Sequence, residues 1–107
     1  MGKGRIKVSL YNRTLKEIDM SDFTAIPEDL FADRRDIVKV QLPEGVEIIS
    51  NHAFENCRHL EEVIMPSSLR EIGSEAFYNC ISLKKVSMKD DVIVDRTAFK
   101  GCEGLEA

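Results

Sequence analysis

Three cysteines, Cys57, Cys80 and Cys102, close successive copies of an A-F-x-x-C motif, and two histidines, His52 and His59, flank the first of them. Thiols and imidazoles are the side chains that ligate metals and carry redox chemistry. Their spacing argues against both uses. A cysteine that returns about every 23 residues, one position after a turn-forming residue, is expected to be a small buried apolar group, and an odd number cannot pair off completely. The run His52-x4-Cys57-x-His59 is the one ligand-like cluster. Cys57 is expected to face inward, while His52 aligns with Glu75 and Thr97 in an exposed column, so one tetrahedral ion would not reach all three. Enzyme motifs are missing as well: there is no glycine-rich phosphate loop, no G-x-S-x-G and no H-E-x-x-H. The acidic pairs Glu61-Glu62 and Asp90-Asp91 are adjacent, and neighbours on a strand point to opposite faces, so neither forms an acid/base couple. The expectation is a protein with no catalytic residue, no cofactor and no metal.

The elements that would position these residues come from the same repeat. Val40, Val63 and Val86 mark blocks at 37–59, 60–82 and 83–104, and Leu105 opens another. A period between 20 and 29 residues with fixed apolar places signals one supersecondary unit stacked on copies of itself. The fourth block is one residue short, with the gap between Val92 and Ala98. A degenerate first block spans 15–36: Leu15, Ile18 and Met20 open it, Ile26, Leu30 and Phe31 follow, and Arg34 replaces the cysteine. Each block begins with an alternating stretch, as in 60–65, that predicts a short strand with one face buried. Its copies at 37–42 and 83–88 would pair with it in parallel, the remainder of each block forming the crossover. Pro43 and Pro66 stand where the strands should stop. Val46 and Ile49, Leu69 and Ile72, and Val92 and Val94 return apolar groups to the interior. Ser50 or Asn51, Ser74 and Asp95 are placed to cap a following short helical turn. Asp33, Asn56, Asn79 and Gly101, just before the cysteine column, suit a left-handed backbone at the end of that turn. Phe31, Phe54, Phe77 and Phe99 share one register and predict an internal spine.

These blocks resemble a known repeat. The segments V-Q-L-P-E-G-V to A-F-E-N-C, from Val40 to Cys57, and V-I-M-P-S-S-L to A-F-Y-N-C, from Val63 to Cys80, are similar to the Treponema pallidum or BspA-like type of leucine-rich repeat. The resemblance covers 37–107 well and 15–36 loosely, and departs from the pattern where Lys89-Asp90-Asp91 replaces the proline turn. It implies a leucine-rich-repeat solenoid with a short parallel sheet on its concave side and short helical turns and loops on the convex side. It also implies a place in bacterial or protist surface proteins that bind host or partner proteins. The family has no shared catalytic residue to carry over.

The chain has 107 residues, of which 43% are hydrophobic, enough for a thin core shared between neighbouring blocks. Ile6, Val8 and Leu10 alternate with polar residues and Tyr11 to Thr14 reads as a turn, so residues 1–14 form an N-terminal cap strand or hairpin and 15–107 the repeats. The sequence stops where a further strand should start. The chain is therefore expected to be an excised piece or to self-associate end to end through this uncapped C-terminus. Formal charge is −4 with interleaved signs, which gives no nucleic-acid footprint. No apolar run approaches the roughly 18 residues of a membrane span, and no signal-type segment follows Met1.

If Leu15, Ile18 and Met20 face inward, Glu17, Lys39, Glu62 and Lys85 form one exposed column across the sheet, and Asp19, Gln41, Ile64 and Ser87 the next. The alternating signs of the first suit a charge ladder that sets the register; the outward Ile64 makes the pair of columns a candidate partner-binding face. The resulting expectation is a non-enzymatic protein-protein interaction module in a bacterial or protist surface or secreted adhesin-like protein, binding through the outward residues of the concave sheet, with an intracellular scaffold or regulatory module as the alternative.

Overall fold

The computed structural model describes residues 4–11, 15–19 and 23–105. Among them the chain forms nine short strands and no helix: β1 (Arg5–Leu10), β2 (Leu15–Asp19), β3 (Ala25–Ile26), β4 (Ile37–Gln41), β5 (Ile48–Ile49), β6 (Glu62–Ile64), β7 (Glu71–Ile72), β8 (Lys85–Ser87) and β9 (Ile93–Val94). They wind as a leucine-rich-repeat solenoid with two sheets. The first has the order β2-β1-β4-β6-β8 and the second β3-β5-β7-β9. Strands β4, β6 and β8 pair in parallel with Val40, Val63 and Val86 in one row, so the sequence beat is the structural register.

The first coil departs from its expected pattern. Residues 15–19 do not lie beside β4; β1 takes that place, running antiparallel to both β4 and β2. In a tight antiparallel pair the face of each residue is fixed by its opposite number. Ile18 faces Ile6 and packs inward, but Leu15 faces Ser9 and is 59% exposed, which corrects its expected inward position. Met20 and the turn at 12–14 lie outside the described residues. The second half of the same block does stack as expected: Ala25 and Ile26 pair with Ile48 and Ile49, and Phe31 joins the spine.

Two-residue strands replace what the sequence marks only as inward apolar positions. Ile26, Ile49 and Ile72 form one buried row of the second sheet. Inside the coils Phe31, Phe54, Phe77 and Phe99 stack on one another, with centroids 5.1, 4.9 and 5.1 Å apart. Phe54 and Phe77 are fully buried. Burying one such ring contributes about 1.5–3 kcal/mol.

The A-F-x-x-C segments are overlapping β-turns and not helical turns. In the second coil the amides of Ala53, Glu55 and Cys57 donate to the carbonyls of Ser50, His52 and Phe54, each three residues back. The intervening amides of His52, Phe54 and Asn56 point out of the coil and donate to Ser74, Ala76 and Tyr78 of the next, at 3.1, 2.7 and 2.7 Å. A helix would aim every amide along one axis; here His52 and Asn56, with φ of 62° and 61°, turn alternate amides outward. Asp33, Asn56, Asn79 and Gly101 all have positive φ, a conformation their types tolerate. Asn56 and Asn79 also join the coils by donating to Asp33 and Asn56. At 101 a β-carbon would crowd the Asn79 side-chain oxygen, and glycine leaves that side chain its place. The expected caps act differently as well. Asn51 accepts from the Ser74 amide of the following coil, whereas Asp95 accepts from Thr97 two residues on.

Candidate functional site

The outer face of the five-stranded sheet carries most of the residues singled out from the sequence. Strand register places Lys39, Glu62 and Lys85 in one row, and Gln41, Ile64 and Ser87 in the next. Lys39 Nζ lies 3.8 Å from a Glu62 carboxylate oxygen. Val38, Lys39, Glu61, Glu62, Lys84 and Lys85 line an open depression of about 330 Å³ at one end of these strands.

Glu17 and Asp19 do not join the rows assigned to them. Glu17 is opposite Lys7, and Lys7 is opposite Gln41, so Glu17 heads the second row. Asp19 is opposite Arg5, one step beyond. The first row instead continues from Lys39 to Ser9 and the exposed Leu15. The cause is the hairpin: its antiparallel return reverses the order of outward residues that a parallel copy would have given.

The cysteines form an internal ladder. Cys57, Cys80 and Cys102 are free and buried, and their thiols donate to the carbonyls of Phe31, Phe54 and Phe77 at 3.1, 3.1 and 3.0 Å. The Cys80 thiol is pushed up from its ordinary range, first by the Cys102 and Cys57 thiols beside it and then by burial. Such a thiol is a poor nucleophile, because the thiolate is the reactive form.

His52 finds other neighbours than the sequence offered. Cys57 points into the core and the His59 ring rests on Tyr11, with centroids 5.3 Å apart. His52 Nδ1 instead stands 3.3 Å from a Glu55 oxygen and 3.4 Å from a Glu75 oxygen. It is buried and makes no hydrogen bond. Glu55 follows His52 by three residues, and Glu75 is its counterpart one coil on. The 23-residue alignment was the signal that could have found this trio, once the stacking register was known.

A solenoid of stacked parallel coils with an asparagine ladder, a cysteine ladder and a phenylalanine spine defines a repeat protein of the leucine-rich class. The family model of the BspA type leucine rich repeat region matches residues 6–107 in six copies, and the chain belongs to that family. The crystal structure of a leucine rich cell surface protein from Faecalibacterium prausnitzii has the same fold, with a TM-score of 0.55 and 20% sequence identity. The likeness covers 92% of this chain and 38% of that one, so this chain spans well under half the length of its neighbour. No curated protein matches it. Among the described residues no helix is long and apolar enough to cross a membrane.

Proposed function

We propose that the chain is a protein-interaction module that recognises a partner protein across the outer face of the five-stranded sheet, within a larger surface or secreted adhesin-like protein. The observation that carries this reading is the register: two rows of outward side chains, Lys39, Glu62 and Lys85 beside Gln41, Ile64 and Ser87, repeat on a sheet held by backbone pairing on every coil. Such a face is pre-organised, so binding costs little ordering entropy. Charges of both signs select the partner, while Ile64 supplies apolar contact. Glu17 extends the second row, and Asp19 lies beyond it at the edge. The structural neighbour, a leucine rich cell surface protein, supports the setting. Recognition here involves no bond making or breaking.

Ile64→Glu and Lys85→Glu test this reading. Both positions point outward, so the melting temperature should stay within a few degrees of the parent while affinity for a binding partner falls about tenfold or more. Unchanged affinity in both variants eliminates the face. An intracellular scaffold is the second reading, favoured by three unpaired thiols; the compartment of the parent protein, seen by tagging it in its native cell, separates the two. End-to-end self-association would use the exposed Met88, Ile93 and Val94 of the last coil. It predicts a mass that rises with concentration in light scattering and stays monomeric in Leu105→Glu, and a constant mass would remove it.

A further inference from the structure

We propose that His52, Glu55 and Glu75 form a binding site for one divalent transition-metal cation, with zinc the best fit, that clips two adjacent coils together. Three observations converge on it. The ligand atoms are of the right kinds, an imidazole nitrogen and two carboxylate oxygens, and all lie within 4.8 Å of one another. An imidazole with carboxylates suits zinc and its neighbours, whereas calcium and magnesium take all-oxygen shells. The geometry fits as well. Zinc holds such ligands at about 2.0–2.1 Å, which places tetrahedral neighbours about 3.3–3.4 Å apart; the two nitrogen-to-oxygen distances are 3.3 and 3.4 Å.

The third observation is the state of the nitrogen. His52 Nδ1 exposes less than 1 Å² and has no hydrogen-bond partner, although two carboxylate oxygens are within reach. A single N–H cannot point at both oxygens. A cation about 2 Å from the nitrogen would instead be shared by the imidazole and both carboxylates. Two carboxylates facing a neutral imidazole also leave two negative charges for a divalent ion to balance.

The supports are rigid. His52 and Glu75 occupy equivalent positions of neighbouring coils, both with positive φ, and the His52 amide donates to the carbonyl of Ser74. The Glu55 amide donates to the His52 carbonyl, and the Glu75 amide to Thr97 Oγ1. The three side chains remain about one third exposed or less, which leaves an entry path and room for a water as fourth ligand. No other pair of coils repeats the combination, because the His52 column continues with Asp29 and Thr97 and the Glu55 column with Ala32, Tyr78 and Lys100.

The test is zinc titration of the full chain by calorimetry, with cobalt absorption as the second readout. One zinc per chain should bind and raise the melting temperature, and the cobalt complex should show a tetrahedral spectrum without a thiolate charge-transfer band. His52→Asn, Glu55→Gln and Glu75→Gln should each weaken binding about 10-fold or more, and His59→Asn should not. Asparagine tolerates the left-handed backbone at 52, so that variant is expected to keep its fold, checked by circular dichroism. Absence of binding at millimolar zinc overturns the proposal. So does affinity unchanged in folded His52→Asn and Glu75→Gln, or a thiolate band showing that the cysteines take up the metal.

Discussion

Truncating Phe77 to alanine should cost far more than truncating Phe99, although both belong to one stack. Phe77 is fully buried and lies between two rings, at 4.9 Å from Phe54 and 5.1 Å from Phe99. Loss of its buried surface removes about 1.5–3 kcal/mol, and loss of two ring pairs about 0.5–1.5 kcal/mol each. The total agrees with the roughly 3–5 kcal/mol typical of a buried Phe→Ala change. Phe99 is only partly buried and, among the described residues, stacks on one ring, so about half that cost is expected. A domain of this size is stable by about 5–15 kcal/mol. Phe77→Ala should therefore lower the melting temperature by about 10 °C or more, and Phe99→Ala by clearly less. Urea unfolding followed by circular dichroism gives the free energies directly. Equal midpoints for the two variants, or a midpoint for Phe77→Ala unchanged from the parent, would refute the spine as the main source of cohesion between coils.

Three further perturbations follow from named contacts. Asn79→Ala should cost about 1–2 kcal/mol because alanine resists the φ of 59° at that position, whereas Asn79→Gly should cost less; thermal melts of the pair decide. The Glu44 carboxylate accepts from the backbone and hydroxyl of Ser67, which hold its pKa below the usual range, the backbone bond first. Its contribution is present above about pH 4.3, the unfolded value, and is lost as pH falls through the lower folded value; acid unfolding curves should be shallower for Glu44→Gln. The raised pKa of Cys80 has the opposite sign, so its contribution is complete below about pH 8.5 and declines as pH rises. Cys80→Ala should flatten the alkaline limb of stability, and a parent with no such decline would contradict the raised pKa of Cys80.

The parts of this fold that were legible in the sequence are those written by side-chain type at a fixed interval. The phenylalanine spine, the parallel row of Val40, Val63 and Val86, and the left-handed column ending at Gly101 each need one kind of residue per coil, so repetition exposes them. The second sheet escaped because Ile48–Ile49 and its copies are two residues long, too short for any periodicity to distinguish a strand from a bend. The helical turns were misassigned because the A-F-x-x-C spacing suits both a helical turn and overlapping β-turns. What separates them is the amide of Phe54 reaching Ala76 in the next coil, a contact 22 positions away in the chain. The places of Leu15, Glu17 and Asp19 were missed because a hairpin reverses direction, and an alignment to parallel copies cannot show that. His52, Glu55 and Glu75 became a cluster only when stacking brought two coils together. The outward rows of Lys39, Glu62 and Lys85 and of Gln41, Ile64 and Ser87 were readable, since alternation on parallel strands fixes which side chains share a face.

Isoleucine methyl NMR of the chain, titrated with a bound partner protein, tests the recognition surface most directly. Ile64 lies in the outward rows of the five-stranded sheet, whereas Ile81 and Ile93 are exposed elsewhere on the coils. Recognition through the outer face requires the Ile64 methyl to shift or broaden while those of Ile81 and Ile93 stay in place. Perturbation confined to Ile81 or Ile93, with Ile64 unmoved at saturation, would contradict it.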